Sequence, residues 1–151
     1  MKLAEALIER AELQKENAKL LGRIKDNTMV QDGDAPAEEP EELIAQYERN
    51  MERFLLLVQK INETNSKTAF AEGMNIADAI ALRDCLGAKH RAYQNMYSAT
   101  TISVNRYSQN EIKFVRCLEP KMIQKRIDKL AKEYRELDTK LQGINWTVDL
   151  V

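Results

Sequence analysis

The stretch PKMIQKRIDKLAKEYRELDTKLQG, residues 120–143, decides the fold class. Ile123, Ile127, Leu130, Tyr134, Leu137 and Leu141, continued by Ile144, recur four and three residues apart, the spacing that stacks side chains along one face of an α-helix. Pro120 suits a first helical position, where a missing N–H removes no bond. The pattern predicts a long amphipathic helix with a coiled-coil-like seam.

Working outward from this helix, the preceding run changes period. From Ile112 to Cys117 the side chains alternate and favour β structure, which predicts a short strand at about 112–117. Ahead of it, Ile76, Tyr97 and Val104 share a seven-residue repeat with Arg83 and His90. This predicts a helix over about 76–105, opened by Asn75 as N-cap with Asp78 three residues on. Gly87 stands inside that helix, where it costs about 1 kcal/mol relative to alanine and points to a close approach by a neighbour. Residues 41–66 form another helix, introduced by Pro40 and the acidic first turn Glu41-Glu42. Its apolar face is wider than one seam: Ile44, Tyr47, Met51, Phe54, Val58 and Ile61 are flanked by Leu55, Leu56 and Leu57. A first helix spans about 2–27, and Asp32-Gly33-Asp34-Ala35-Pro36 forces a turn after it. Between them, residues 28–31 read as extended. Helices joined by such connections alternate direction, so the extended pieces 28–31 and 112–117 are expected to pair as a small sheet at one end of the helices.

The expected fold is therefore all-α: four long helices as antiparallel hairpins with a minor β element, in one domain over residues 1–151. A chain of this length can bury roughly 68–70% of its unfolded surface. Its 44% hydrophobic residues, five Gly and three Pro suit an ordered helical protein. The 23 basic and 24 acidic residues nearly cancel, leaving no global excess to steer the protein to nucleic acid or anionic lipid. Cys85 and Cys117 lie far apart and read as buried or half-buried thiols of a reducing compartment. The opening residues carry charge from Lys2 onward, and the longest apolar run, Phe54 to Val58, is far short of the ~20 residues that span a bilayer. A cytoplasmic location and no membrane partner are expected.

Scattered residues resemble a known family. They are Met1-Lys2-Leu3-Ala4-Glu5-Ala6-Leu7, Glu38-Glu39-Pro40-Glu41-Glu42-Leu43, Ile61-Asn62-Glu63-Thr64-Asn65, Asp78-Ala79, Arg83-Asp84, Tyr107-Ser108, Glu111-Ile112-Lys113-Phe114-Val115, Arg135-Glu136-Leu137-Asp138-Thr139 and Asn145-Trp146. Together they are similar to a bacterial family that often carries the name septicolysin. The resemblance implies a helical cytoplasmic protein with no established activity. The name points to a pore-forming toxin, whereas this chain has no long apolar segment and no amphipathic β-hairpin pattern of the kind a pore requires.

Three sets of residues stand out chemically. Arg10, Gln14 and Asn17 fall within the arc of Leu3, Leu7, Leu21 and Ile24 on the first helix, and Arg83 and His90 interrupt the seam of the third. Such groups form a hydrogen-bonded layer that fixes helix register or oligomer state. Alternatively they line a small-anion site, since arginine offers carboxylate or phosphate a planar fork. Lys121, Lys125, Arg126, Lys129 and Lys132 make a basic stretch on the fourth helix. Most such runs are solvated faces; the functional alternative is a nucleic-acid footprint. Phe54, Leu56 and Trp146 are candidates for an interface, and Trp146 either folds back or anchors a second subunit.

No catalytic set emerges. His90 is the only histidine, Gly87 rather than Glu stands three residues before it, and no Gly-x-Ser-x-Gly elbow or phosphate-binding glycine loop occurs. Neither a metal nor a cofactor is expected. The pattern points to a noncatalytic structural or interaction module that associates with itself.

Overall fold

The computed structural model describes residues 1–101 and 114–151. It is mainly all-α: α1 (Leu3–Asp26), α2 (Pro40–Lys67), a two-stranded hairpin of β1 (Ala69–Ala71) and β2 (Met74–Asn75), α3 (Ile76–Ala99) and α4 (Pro120–Thr147). Contacts group the chain into two compact units, one of Met1–Ala77 with Gln142–Val151, the other of Asp78–Leu141.

In the first unit α1 and α2 run antiparallel. Arg53 on α2 bonds Glu9 on α1 at 2.6 Å, Gln46 bonds Glu16 at 3.2 Å, and Arg23 bonds Glu38 at 2.9 Å, each step along one helix matched by a step back along the other. Leu3, Ala6, Leu13 and Leu20 of α1 are buried with Leu43, Leu57 and Ile61 of α2, at spacings of three, four and multiples of seven that return to one face of each helix. α1 starts where the Lys2 N–H donates to the Glu5 carboxylate at 2.7 Å, satisfying one of the free amides of the first turn. It ends at buried Asn27, whose side-chain amide donates to the Arg23 carbonyl at 2.9 Å. The Asn27 Oδ1 accepts from the Glu38 N–H at 3.0 Å, so one side chain ties both ends of the loop.

That arrangement explains one departure from the expected architecture. Residues 28–31 form no strand, because the loop is held by Asn27 and Glu38 and turns at Gly33 with φ of +90°. Residues 114–117 form no strand either, and residues 112–113 lie outside the described part of the chain. The observed sheet is instead local: β1 and β2 pair antiparallel around Gly73, whose φ of +70° is one that L side chains rarely adopt.

The end of the chain is also stitched into the first unit. Leu3 N–H donates to the Val148 carbonyl and Leu150 N–H to the Met1 carbonyl, each at 2.9 Å. Lys2 Nζ meets Asp149 at 2.8 Å. Val151 N–H donates at 3.1 Å to the hydroxyl of Thr64, itself 1% exposed and donating to the Lys60 carbonyl at 2.8 Å.

In the second unit α3 and α4 are antiparallel. Arg83 pairs with Asp138 at 3.2 Å, and Arg126 donates to the Tyr93 hydroxyl at 3.2 Å while lying 5.7 Å from that ring's centroid. Ile123, Ile127 and Leu141 of the expected α4 seam are buried, while Leu130, Tyr134 and Leu137 are half-buried. The close approach expected at Gly87 is made by Tyr134: a Cβ at Gly87 would stand 3.3 Å from Tyr134 Cε2.

Two further expectations are corrected. α3 ends at Ala99, short of residue 105, as the Thr100 and Thr101 amides turn back to the Tyr97 and Ser98 carbonyls. Two successive β-branched residues disfavour a further helical turn there; residues 102–105 lie outside the described chain. The cysteines are not buried: Cys85 and Cys117 are both exposed, Cys85 because it falls one position before the inward-facing Leu86.

Candidate functional site

The polar groups singled out on α1 divide by environment. Asn17 is 8% exposed and its amide meets the Met51 sulfur at 3.3 Å, Arg10 is half-buried, and Gln14 is exposed. Arg10 Nε, Asn17 Oδ1 and, on α2, Asn50 Nδ2 are buried without a hydrogen-bond partner among the described residues. Asn50 was not singled out from the sequence; only the α1–α2 register shows that it faces inward.

Arg83 and His90 belong to the second unit. The Arg83 guanidinium bonds Asp84 at 3.0 and 3.2 Å and Asp138 at 3.2 Å. Burial works against its charge, yet the hydrogen bonds and charges of the two aspartates outweigh that and hold Arg83 above the ordinary arginine value. Its fork is therefore already occupied by carboxylates. His90, half-buried, lines a hollow of about 280 Å³ with Gly87, Arg91, Ala131, Tyr134 and Arg135. Arg91 and Arg135 escaped the sequence reading because they lie off the apolar seams. A signal was present, since positions 87, 88, 94 and 95 around Arg91 offer it no acid at helical spacing.

The basic stretch of α4 is exposed throughout. Lys129 and Lys132 lie 3.8 Å from Glu133 and Glu136, one turn on, and Arg126 is directed to Tyr93. Lys121 and Lys125 have no ion-pair partner among the described residues. Of the interface candidates, Phe54 is half-buried and Leu56 exposed. Trp146 is 57% exposed beside a shallow hollow of about 250 Å³ formed with Ala4, Leu7, Ile8, Ala11 and other α4 residues.

Among the described residues no group of three or more His, Cys, Asp or Glu side chains is placed to hold a metal ion. No described helix is long and apolar enough to cross a membrane.

A family model described as "Family of unknown function (DUF6847)" matches residues 10–150. The chain belongs to this family. A solved structure similar to this DUF6847 member is the "crystal structure of a functionally unknown conserved protein from Corynebacterium diphtheriae". It is 42% identical, superposes with a TM-score of 0.94, and the match covers 100% of this chain and 99% of the other. Neither description uses the name septicolysin. No curated protein matches the sequence.

Proposed function

We propose that this DUF6847 protein is a noncatalytic helical interaction module that associates with itself in the bacterial cytoplasm. The observation that carries the reading is the apolar surface of α2. After Leu43, Leu57 and Ile61 are buried, Ile44, Met51 and Leu55 remain exposed at spacings of seven and four, a continuous stripe on one side of the helix. Leu56, 60% exposed, adds a second apolar position away from that stripe, and Trp146 is a large exposed aromatic side chain of the same unit. Apolar side chains grouped along a helix gain from burial at about 25 cal/mol per Å², which favours a second copy over water. The likeness to the septicolysin-named family accompanies this reading as a resemblance, without the pore-forming role.

Light scattering across a concentration series tests it. The wild-type chain is expected to associate, and the double substitution Leu55→Glu, Leu56→Glu to return it to a monomer with unchanged helicity. A wild-type chain that stays monomeric at every concentration overturns the proposal.

A second reading rests on Lys121 and Lys125, the exposed lysines of α4 without ion-pair partners among the described residues. Contact with nucleic acid through them would weaken steeply with salt. Filter binding that is absent even at low ionic strength removes it.

A further inference from the structure

The hollow around Gly87 brings three features together. It exists because position 87 has no side chain: a Cβ there would stand 3.3 Å from the Tyr134 ring and 3.5 Å from Arg91 Nη1. Its lining is three small or aromatic residues, Gly87, Ala131 and Tyr134, and three basic ones, His90, Arg91 and Arg135, with no carboxylate. The bases converge from both helices, His90 and Arg91 from α3 and Arg135 from α4.

Several other basic residues of the hairpin are already paired. Arg83 is taken by Asp84 and Asp138, Lys129 by Glu133 and Lys132 by Glu136. His90, Arg91 and Arg135 have neither an ion-pair nor a hydrogen-bond partner among the described residues. The sequence denies them one locally. The residues three and four away from Arg91 are Gly87, Ala88, Gln94 and Asn95; those around Arg135 are Ala131, Lys132, Thr139 and Asp138, which is engaged by Arg83. Like charges gathered without a counter-charge repel each other, and an anion placed among them relieves that repulsion.

We infer that this hollow binds a small organic anion, a phosphate or carboxylate carried on an apolar or planar body. Arg91 and Arg135 present guanidinium forks whose geometry matches either acid, and His90 supplies a further ring N–H. The body rests on Ala131 and the face of Tyr134. At about 280 Å³ the space suits a single ring with its acid group, near the lower bound of small-molecule sites. The inference is independent of self-association, since it uses only residues of the second unit.

Isothermal titration calorimetry on the full chain tests it with four probes: phenyl phosphate, benzoate, inorganic phosphate and benzyl alcohol. Phenyl phosphate or benzoate is expected to bind saturably and at least several-fold more tightly than inorganic phosphate or the neutral alcohol. Whichever of the first two is stronger identifies the acid group. Arg91→Gln and Arg135→Gln, both exposed positions whose folding is checked by circular dichroism, should each weaken binding roughly tenfold, the loss of a charge-assisted hydrogen bond. Lys129→Gln and Lys132→Gln should change it less than about twofold. The inference is overturned if neither organic anion binds by about 10 mM, or if the arginine substitutions leave binding unchanged. It is equally overturned if the lysine substitutions abolish binding, which would move the site to the outer face of α4.

Discussion

Replacing Gly87 by alanine sets two effects against each other at one position. Alanine in a helix interior is favoured over glycine by about 1 kcal/mol, mainly because glycine loses more backbone freedom on folding. Gly22 in α1 and Gly143 in α4 measure that gain alone, since a Cβ added at either meets nothing within 4 Å. Gly22→Ala and Gly143→Ala should each stabilise the protein by about 0.5–1 kcal/mol. At Gly87 the added carbon would lie 3.3 Å from Tyr134 Cε2 and 3.7 Å from Cδ2, so the ring must move by a few tenths of an ångström. Overpacking costs about 1–3 kcal/mol, and half-buried Tyr134 has enough freedom to keep the cost at the lower end. The two effects then nearly cancel. Gly87→Ala is expected between no change and a loss of about 1 kcal/mol, putting it about 1 kcal/mol or more below Gly22→Ala. Urea denaturation at constant m resolves a gap of that size, which corresponds to about 2–4 °C in Tm for a chain of this length. A Gly87→Ala protein stabilised as much as Gly22→Ala would refute the close approach of Tyr134 to α3.

Asn27→Ala removes both the amide that bonds the Arg23 carbonyl and the oxygen that receives the Glu38 N–H, with an expected loss of about 1–3 kcal/mol by urea denaturation and faster amide exchange at Glu38. Acidification provides another test. Glu38 beside Arg23, Glu63 beside Lys67 and Asp149 beside Lys2 each have a carboxyl held below its ordinary range, chiefly by the hydrogen bond from the basic partner. Because the folded values lie below the unfolded ones, these groups add stability above the ordinary carboxylate range and lose that contribution as pH falls through their lowered values. Melting profiles from neutral pH to acid should therefore show stability falling below about pH 4, and Glu38→Gln should flatten part of that slope. A wild-type profile flat across this range would contradict the assignment.

The four helices were legible because periodicity survives without tertiary information. The α4 seam needs only the positions of Ile123, Ile127, Leu130, Tyr134, Leu137 and Leu141, and Pro40 and Pro120 mark two starts. What failed depended on competing local chemistry. The Asn27 side chain captures the loop that looked extended, and the observed strands Ala69–Ala71 and Met74–Asn75 pair locally across Gly73. The chemistry of the second unit was less legible still. Arg83 looked available until the antiparallel register supplied Asp138, whereas Arg91 and Arg135 drew no attention until the same register placed them around one hollow.

The bridge between Lys2 and Asp149 also bears on the order of events during synthesis. The first unit is completed by Gln142–Val151, which the ribosome makes only after the whole of Asp78–Leu141. At roughly 5–20 residues per second, several seconds separate the emergence of the α1–α2 hairpin from that of the residues that close it. Helical hairpins form far faster than this. The nascent first unit must therefore wait with Leu3 on α1 and Thr64 on α2 not yet joined to Val148 and Val151, which makes this interval the stage at which a chaperone or a neighbouring nascent chain has its best access to it.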